Sequence, residues 1–441
     1  MRILHVPYTY APDPIGGTEH YVRALAEQLQ VHGCNCTIAA PGPKTSRSWQ
    51  GGLEVFRFAG SEAHEAAQGV ADPIAAAGFQ RILAEVRPHI VHLHARTAAV
   101  SELLLQAARA AGARTVVTYH TPTLSCMRGT MLHHGRQPCD GVLEASRCTS
   151  CVLRSHGLAG PLASALAQLP APVGRTLQHL GLRRGAWLAP RMRQIVEDHI
   201  ARTHRFLSQA DLVIAPCQWV LDLLLANGLA AERLRLCRQG LTHPLPNEAL
   251  PQAPLLEGPL RLGFFGRLDP TKGIEVLIKA MQRIPSAPLD LVIHGVGQQG
   301  SEGWSDQLQA LARSDTRIRF LPPMDAGQVL PAMAKFHLVV APSLWLETGP
   351  LVVLEAFAAG TPVLGSDLGG ISEVVRTGGD GQLVAPGDVC AWADALAQLA
   401  EDPSPIWRWR VAIKQPRTMV QVASEMAGYY REIHSQCSSQ R

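Results

Sequence analysis

The chain has 441 residues, enough for two or three domains with a sizeable core. It is 46% hydrophobic and 17% charged, which excludes extended disorder. With 5% aromatic residues and a formal net charge of +4 it has neither the stacking surface nor the basic field of a nucleic-acid binder, and no nucleic-acid partner is expected.

The opening "MRILHVPYTY" reads as a first β-strand, too short for the apolar core of a signal peptide. No apolar run reaches the roughly 18 residues of a spanning helix. The expectation is a cytoplasmic chain whose ten cysteines are reduced thiols or metal ligands. "RILHV" leads through a glycine loop into "TEHYVRALAEQLQVHG", where Val22, Leu25, Ala26 and Leu29 share a helix face. "CTIAA", "PHIVHLH" and "RTVVTYH" follow as strands, with "AVSELLLQAARAAG" as a helix between the last two. "ADLVIAPC" is another strand, and "WVLDLLLANG" a helix ending at Gly228. Apolar strands alternating with helices predict a parallel sheet covered on both faces. "LTHPLPNEALPQAPLLEGP" holds five prolines and marks a boundary. A second series begins at "LRLGFFGRL" and continues through "LDLVIHGVG", "RIRFL", "HLVVAPS", "TPVLGSD" and "GQLVAPG". "TMVQVASEMAGYYREIH" forms a last amphipathic helix. Two doubly wound α/β domains result. Ligands of such sheets bind outside the carboxyl ends of the strands, so a cleft between the domains is the expected site.

Three loops after strands have anion-binding character. In "PDPIGGTEH", Gly16 and Gly17 allow close backbone approach to an anion, although Gly-Gly before a helix is common. In "FFGRLDPTKGIEVLIKA", Arg267 and Lys272 stand before a helix N-terminus. Two cations there oppose the macrodipole and call for a compensating anion, unless both are solvated surface charges. In "ETGPLVVLE", Pro350 suits a first helical turn, Thr348 or Gly349 can cap it, and Gly360 and Pro362 end the helix. Glu347 then lies just before that helix and Glu355 in its second turn. A carboxylate on so apolar a helix is either a buried structural group with a hydrogen-bond donor or a ligand for hydroxyls beside the helix end. A molecule with phosphates and diols satisfies the second reading.

Together these loops resemble glycosyltransferase family 4, the retaining enzymes of the GT-B fold. The resemblance rests on "GGTEHYVRALAEQL", "FFGRLDPTKGIEVLIKA", "HLVVAPSLWLETGPLVVLEAFAAGTPVLGSDLGG", "GQLVAPGD" and "YYREI", with residues 124–205 the least typical part. The pair Glu347 and Glu355 matches the family's E-x7-E element. The implied architecture is two Rossmann-like domains facing across a cleft, with a C-terminal helix. The expected division is an acceptor-side domain over 1–240, a linker over 241–260, a nucleotide-sugar domain over 261–415 and the helix over 416–441. The first domain carries a cysteine-rich insertion at about 124–155 and a basic helical region to 205.

The resemblance implies roles. Gly16 and Gly17 would approach the donor diphosphate; Arg267 and Lys272 would neutralise it as it leaves. Glu355 would hold the ribose hydroxyls. Glu347, with Thr348 and the backbone N–H groups of Gly349, Leu351 and Val352, would hold the sugar. Pro350 has no N–H to offer. His120, in "VVTYHTP", matches the family's histidine near the sugar; alone, it reads equally as structural. Together, His120, Arg267, Lys272 and Glu347 form the implied catalytic set. The implied donor is a UDP- or GDP-sugar, and the acceptor a glycan, a lipid-linked sugar or a small molecule, as in polysaccharide or glycolipid biosynthesis. Transfer would retain configuration by front-face attack. No DxD-like element stands in the expected loops, so no cofactor or Mg2+ is expected for transfer. A catalytically silent nucleotide-sugar sensor on the same fold is the alternative. "CRQGLTHP", "FLPP" and Cys217 depart from the family pattern without removing a donor-binding residue.

His92 and His94 alternate along "VHLHAR" and are expected on opposite sides of the sheet, with His94 and Thr121 as acceptor-side candidates. Residues 145–205 hold nine arginines and two acids, an expected basic face for anionic lipid at the inner side of a membrane, or a solvated helical surface. Cys126, Cys139, Cys148 and Cys151 follow the spacing C-x12-C-x8-C-x2-C. Four such thiols suit a structural zinc; an iron–sulfur cluster, two disulfides and free thiols are the other readings, and His133 or His134 could replace one cysteine.

Overall fold

The computed structural model describes residues 1–13, 16–61, 70–134, 137–242, 250, 254–297 and 302–438. The chain divides into two units, Met1–Arg238 with Val420–Arg441, and Gln239–Met419. Of the expected linker, residues 243–249 and 251–253 lie outside the described residues.

The first unit contains β1 (Arg2–Val6), β2 (Asn35–Gly42), β3 (Ser46–Gln50), β4 (Leu53–Ala59), β5 (Ile90–Leu93), β6 (Arg114–Thr118), β7 (Leu132–His133), β8 (Gln137–Pro138), β9 (Leu212–Ala215) and β10 (Leu234–Leu236). Eight of them form one sheet in the order β10-β9-β6-β5-β1-β2-β4-β3. All neighbours are parallel except β3 and β4, joined through Gly51 and Gly52 at φ 57° and 80°. Strands β1, β5 and β9 are apolar because helices cover both faces: Ile3, Leu4, Val6, Ile90, Val91, Leu93, Val213 and Ile214 are fully buried. The order reverses between β1 and β5, the crevice position of a doubly wound sheet.

Between β8 and β9 the chain forms helices Ala145–Ser155, Gly160–Ala167, Ala171–His179 and Leu188–Ser208. The first, second and fourth share a small core of Val152, Leu153, Ala163, Met192 and Val196. The arginines here do not make one uniform face. Arg191 is buried, with its guanidinium on the Arg183 carbonyl and the Gln178 side chain. Arg193 pairs with Glu197. Arg154, Arg175, Arg183, Arg184 and Arg205 are exposed.

The second unit contains β11 (Leu260–Arg267), β12 (Leu289–Val296), β13 (Ile318–Leu321), β14 (Leu338–Ala341), β15 (Val363–Ser366) and β16 (Gly381–Val384). They form a wholly parallel sheet ordered β13-β12-β11-β14-β15-β16, the doubly wound order whose switch point falls between β11 and β14. The loops leaving those two strands carry Lys272 and Glu347. The last helix, Met419–Ser438, belongs mainly to the first unit, where Met426, Ala427, Tyr430 and Ile433 are buried. Among the described residues no helix is long and apolar enough to cross a membrane.

Candidate active site

In the second unit, β11 ends at Arg267, whose side chain is half-buried. The chain then makes a single 3-10 turn, Pro270–Lys272. Asp269 caps it, its carboxylate accepting from the Thr271 N–H at 2.9 Å and the Thr271 hydroxyl at 2.5 Å. Gly273 follows at φ 71° and opens helix Ile274–Arg283; a Cβ there would sit 1.8 Å from the Pro342 carbonyl oxygen, so only glycine fits. The loop after β14 is tied to this turn by the Leu344 N–H donating to the Thr271 carbonyl at 2.7 Å.

Lys272 and Glu347 meet at that junction, Nζ to Oε1 at 2.6 Å. Ser343 Oγ donates to the same carboxylate at 2.9 Å, and the Lys272 ammonium stands 5.4 Å from the Trp345 ring centre. Burial alone would push the Glu347 carboxyl up, but Lys272 and the hydrogen bonds outweigh burial and hold it below its ordinary value. The anion that the sequence demanded beside Lys272 is thus Glu347 itself. An ammonium has three N–H donors, so the pair leaves Lys272 capacity for a phosphate. Lys272→Ala would strand a buried carboxylate and so cost stability.

Helix Leu351–Ala358 starts at the residue the sequence predicts. Pro350, not Thr348 or Gly349, occupies the capping position, at φ −76° and ψ 82°. The Leu351 N–H donates to the Gly349 carbonyl at 2.9 Å, so Leu351 is not an open donor as the resemblance implies. Val352 is half-buried in the first turn and Thr348 is buried. A Cβ on Gly349 would lie 2.2 Å from the end of the Gln239 side chain, which would have to move to admit it. Ala359 ends the helix and Gly360 takes φ 69°, as the sequence predicts. Glu355 is half-buried in the second turn, and burial pushes its carboxyl up to about 7. The two glutamates therefore differ: one is held ionised by lysine, the other is poised near neutral pH.

In the first unit, Gly16 and Gly17 are exposed at the start of helix Gly17–Val31. The Gly16 N–H donates to Glu19 Oε2 at 2.9 Å, so Gly16 does not present its N–H to an anion. His92 and His94 lie on the same face, because strand period two places i and i+2 together. Their ring centres are 3.9 Å apart, which corrects the expectation of opposite sides. His94 is buried and lines no open surface. It sits in a chain of imidazoles: His5 Nδ1 to His94 Nε2 at 3.1 Å, and His94 Nδ1 to His120 Nε2 at 3.0 Å. His92 lies beside it, with its ring nitrogens 2.7 Å from the Tyr430 and Thr118 hydroxyls. Burial pushes His5 and His120 down to about 3 and holds His92 and His94 well below the usual range, so all four are neutral. His5 Nε2 is buried without a partner. A buried orphan lone pair costs less than an orphan N–H, so His5 carries its proton on Nδ1 and donates to His94. His94 then donates from Nδ1 to His120, which leaves the His120 proton on Nδ1. Thr121 follows, half-buried, its hydroxyl 2.6 Å from that of Thr123.

Cys126, Cys139, Cys148 and Cys151 are unbridged and partly buried. All four line a cavity of about 40 Å³. Sequence reasoning missed Ser343, His5 and Tyr430. Ser343 stands four residues before Glu347 in an otherwise apolar stretch, which was the available signal. Tyr430 stands in "YYREI", which carries part of the resemblance, but nothing local marks His92 as its partner, and nothing local marks His5.

The description "Glycosyltransferase Family 4" fits residues 15–242, and "Glycosyl transferases group 1" fits residues 259–402. The chain is 31% identical over 240 residues to a D-inositol 3-phosphate glycosyltransferase of Nocardia farcinica (strain IFM 10152), covering 51% of each. It is 38% identical over 157 residues to a phosphatidyl-myo-inositol mannosyltransferase of Mycobacterium leprae (strain TN), covering 34% of this chain and 41% of that one. The matches span about half or less of these relatives' lengths. Among solved structures, a sucrose-phosphate synthase from Thermosynechococcus elongatus superposes with a TM-score of 0.67 at 20% identity, covering 99% of each chain. HepE of Anabaena, solved in complex with UDP, superposes with a TM-score of 0.62 at 17% identity, covering 98% of this chain and all of that one. The fold is GT-B, with two Rossmann-like α/β units and a C-terminal helix.

Proposed function

The chain belongs to glycosyltransferase family 4, and on that premise we propose that it moves a hexosyl unit from a UDP- or GDP-sugar to a glycan, lipid-linked or small-molecule acceptor, with retention of configuration. The observation that carries this is the Lys272–Glu347 pair at the β11/β14 switch point. In this reading the bond between the sugar C1 and the diphosphate oxygen breaks while the acceptor oxygen bonds C1 from the same face. The acceptor's proton passes to the leaving phosphate oxygen. Arg267 and Lys272 stabilise the charge that develops there, so no metal ion is required. Glu347 with Thr348, Gly349 and Val352 holds the sugar, Glu355 the ribose diol. Gly17 is assigned to the donor diphosphate and His120 to the sugar; the acceptor-side domain is proposed to span 1–240 and the donor domain 261–415. The UDP bound to HepE supports a uridine donor. The inositol phosphate and phosphatidylinositol named in the two relatives support a polar or lipid-linked polyol acceptor.

We also propose peripheral contact with the inner face of a cytoplasmic membrane. Exposed Arg175, Arg183 and Arg184 stand beside exposed Leu180 and Trp187, a basic and apolar mixture suited to anionic lipid.

A panel of nucleotide sugars, assayed for nucleotide release with and without chelator, tests the transfer. Arg267→Ala is the cleaner site variant, since Arg267 is not in the buried pair. Loss of one charge-assisted hydrogen bond is worth about 1.5–3 kcal/mol, or about ten- to a hundredfold in UDP or GDP affinity. Lys272→Ala should lose as much and also melt earlier. Unchanged affinity in both variants overturns the site. Tight nucleotide-sugar binding without turnover on any acceptor would favour the silent sensor.

A further inference from the structure

We propose that Cys126, Cys139, Cys148 and Cys151 hold one structural zinc ion as thiolates. The four sulfurs come from three separate pieces of backbone. Cys126 follows a 3-10 turn, Cys139 follows the β7–β8 hairpin, and Cys148 and Cys151 stand one turn apart on helix Ala145–Ser155. All four line the same small cavity.

The second observation is what points at the sulfurs. The Gly141 N–H donates to Cys139 Sγ at 3.5 Å, and the His134 N–H to Cys151 Sγ at 3.2 Å. Arg147 reaches Cys139 Sγ at 3.3 Å and Arg128 reaches Cys151 Sγ at 3.6 Å. Four N–H donors, two of them cationic, gain little from neutral thiols and much from thiolates. A zinc with four thiolates carries a net charge of about −2; Arg128 and Arg147 offset it, though Arg147 also pairs with Asp140. Gly141 is shaped for this turn: φ is 76°, and a Cβ would meet Leu223 Cδ1 at 2.3 Å.

The segment also needs a fastener. Each strand of its hairpin is two residues long, too short to persist alone. Met131 and His134 flank it at φ 52° and 55°, conformations kept only where the surroundings impose them. His134 Nδ1 lies 3.0 Å from the Arg154 guanidinium, so that nitrogen is not offered to a metal.

Among the described residues only His5, His92 and His94 bring three candidate ligand atoms within 4.8 Å. That trio is a poor metal site, because its nitrogens are spent on Tyr430, Thr118, His120 and one another. By contrast, Cys139 Sγ contacts Asp140 Oδ1 only at 3.9 Å and Cys151 Sγ the Leu132 carbonyl only at 3.8 Å, long thiol contacts that deprotonation on metal binding removes. On binding, the four thiols release their protons to solvent and four Zn–S bonds form.

The test uses the full chain purified without chelator, and its readout is independent of transfer. Elemental analysis should find about one zinc per chain, and Cys148→Ser less than about a tenth of that. UDP affinity should be unchanged in this variant. If Cys148→Ser does not fold, the wild-type protein is stripped with a chelator and refilled with Co2+, which should give the thiolate-to-cobalt charge-transfer band of a tetrathiolate site. Less than about a tenth of an equivalent of zinc, with four titratable thiols in this segment, overturns the proposal. Stoichiometric iron in place of zinc overturns it too.

Discussion

Glu355 carries the price of the site in a single side chain. Its carboxyl is pushed up to about 7 by burial, against an ordinary value of 4.5. The folded state therefore keeps a proton that the unfolded chain gives up. The resulting penalty is absent below about pH 4.5, grows through the interval and is complete above about 7. Glu355→Gln should raise the melting temperature of the unliganded protein at pH 8 and leave it nearly unchanged at pH 4.5, as read by a thermal scan at both values. The same variant should weaken UDP or GDP binding, because a ribose diol needs the ionised acceptor. An equal thermal shift at both pH values would count against a buried carboxylate as its cause. The Glu347–Glu355 spacing and Lys272 were legible in the sequence because helix signals and charge are local. Their pairing was not: Lys272 meets Glu347 across 75 positions, through strand adjacency that no local pattern encodes. The imidazole chain was hidden for the same reason, since it follows from the register that sets His5 beside His92.

At the scale of elements, the junction between the Pro270–Lys272 turn and the loop after β14 is the most constrained piece of backbone. Gly273→Ala must place a methyl group against the Pro342 carbonyl at φ 71°. A cost of at least about 2 kcal/mol is expected, lowering the melting temperature by roughly 4–8 °C. Since the turn also aims Lys272, nucleotide affinity should fall with it; calorimetry and a thermal scan together check this, and a variant that melts as wild type would disprove the close approach. Strands such as β1, β9 and β14 were readable because burial on both faces makes them continuous apolar runs. The β3–β4 hairpin was not. Arg57 interrupts its pattern, yet is buried with its guanidinium on the Pro41 and Tyr10 carbonyls. Strand β10 is three residues long with an arginine at its centre, too little for periodicity to register.

For the molecule as a whole, charge is unevenly shared. Residues 145–205 hold nine of the arginines against two acids, while the whole chain nets only +4. Each cation near an anionic lipid surface contributes about 1 kcal/mol, so in the proposed contact Arg175, Arg183 and Arg184 would supply about 3 kcal/mol, with Leu180 and Trp187 adding apolar area. Flotation with vesicles containing phosphatidylserine should carry the protein upward at low salt and release it at high salt. Reversing Arg183 and Arg184 to glutamate should abolish the effect, and co-flotation indifferent to salt would contradict an electrostatic contact. The closing helix, Met419–Ser438, packs its Tyr430 against His92 in a unit whose other residues end at Arg238. During synthesis, the 181 residues of the second unit must emerge before that helix exists. At about 5–20 residues per second this delay is roughly 10–35 s. Throughout it the first unit stands on the ribosome with the seat for Met426, Ala427, Tyr430 and Ile433 uncovered. The order of translation thus makes the first half of the chain the last to be finished, and gives chaperones that hold nascent apolar surface a defined interval in which to act.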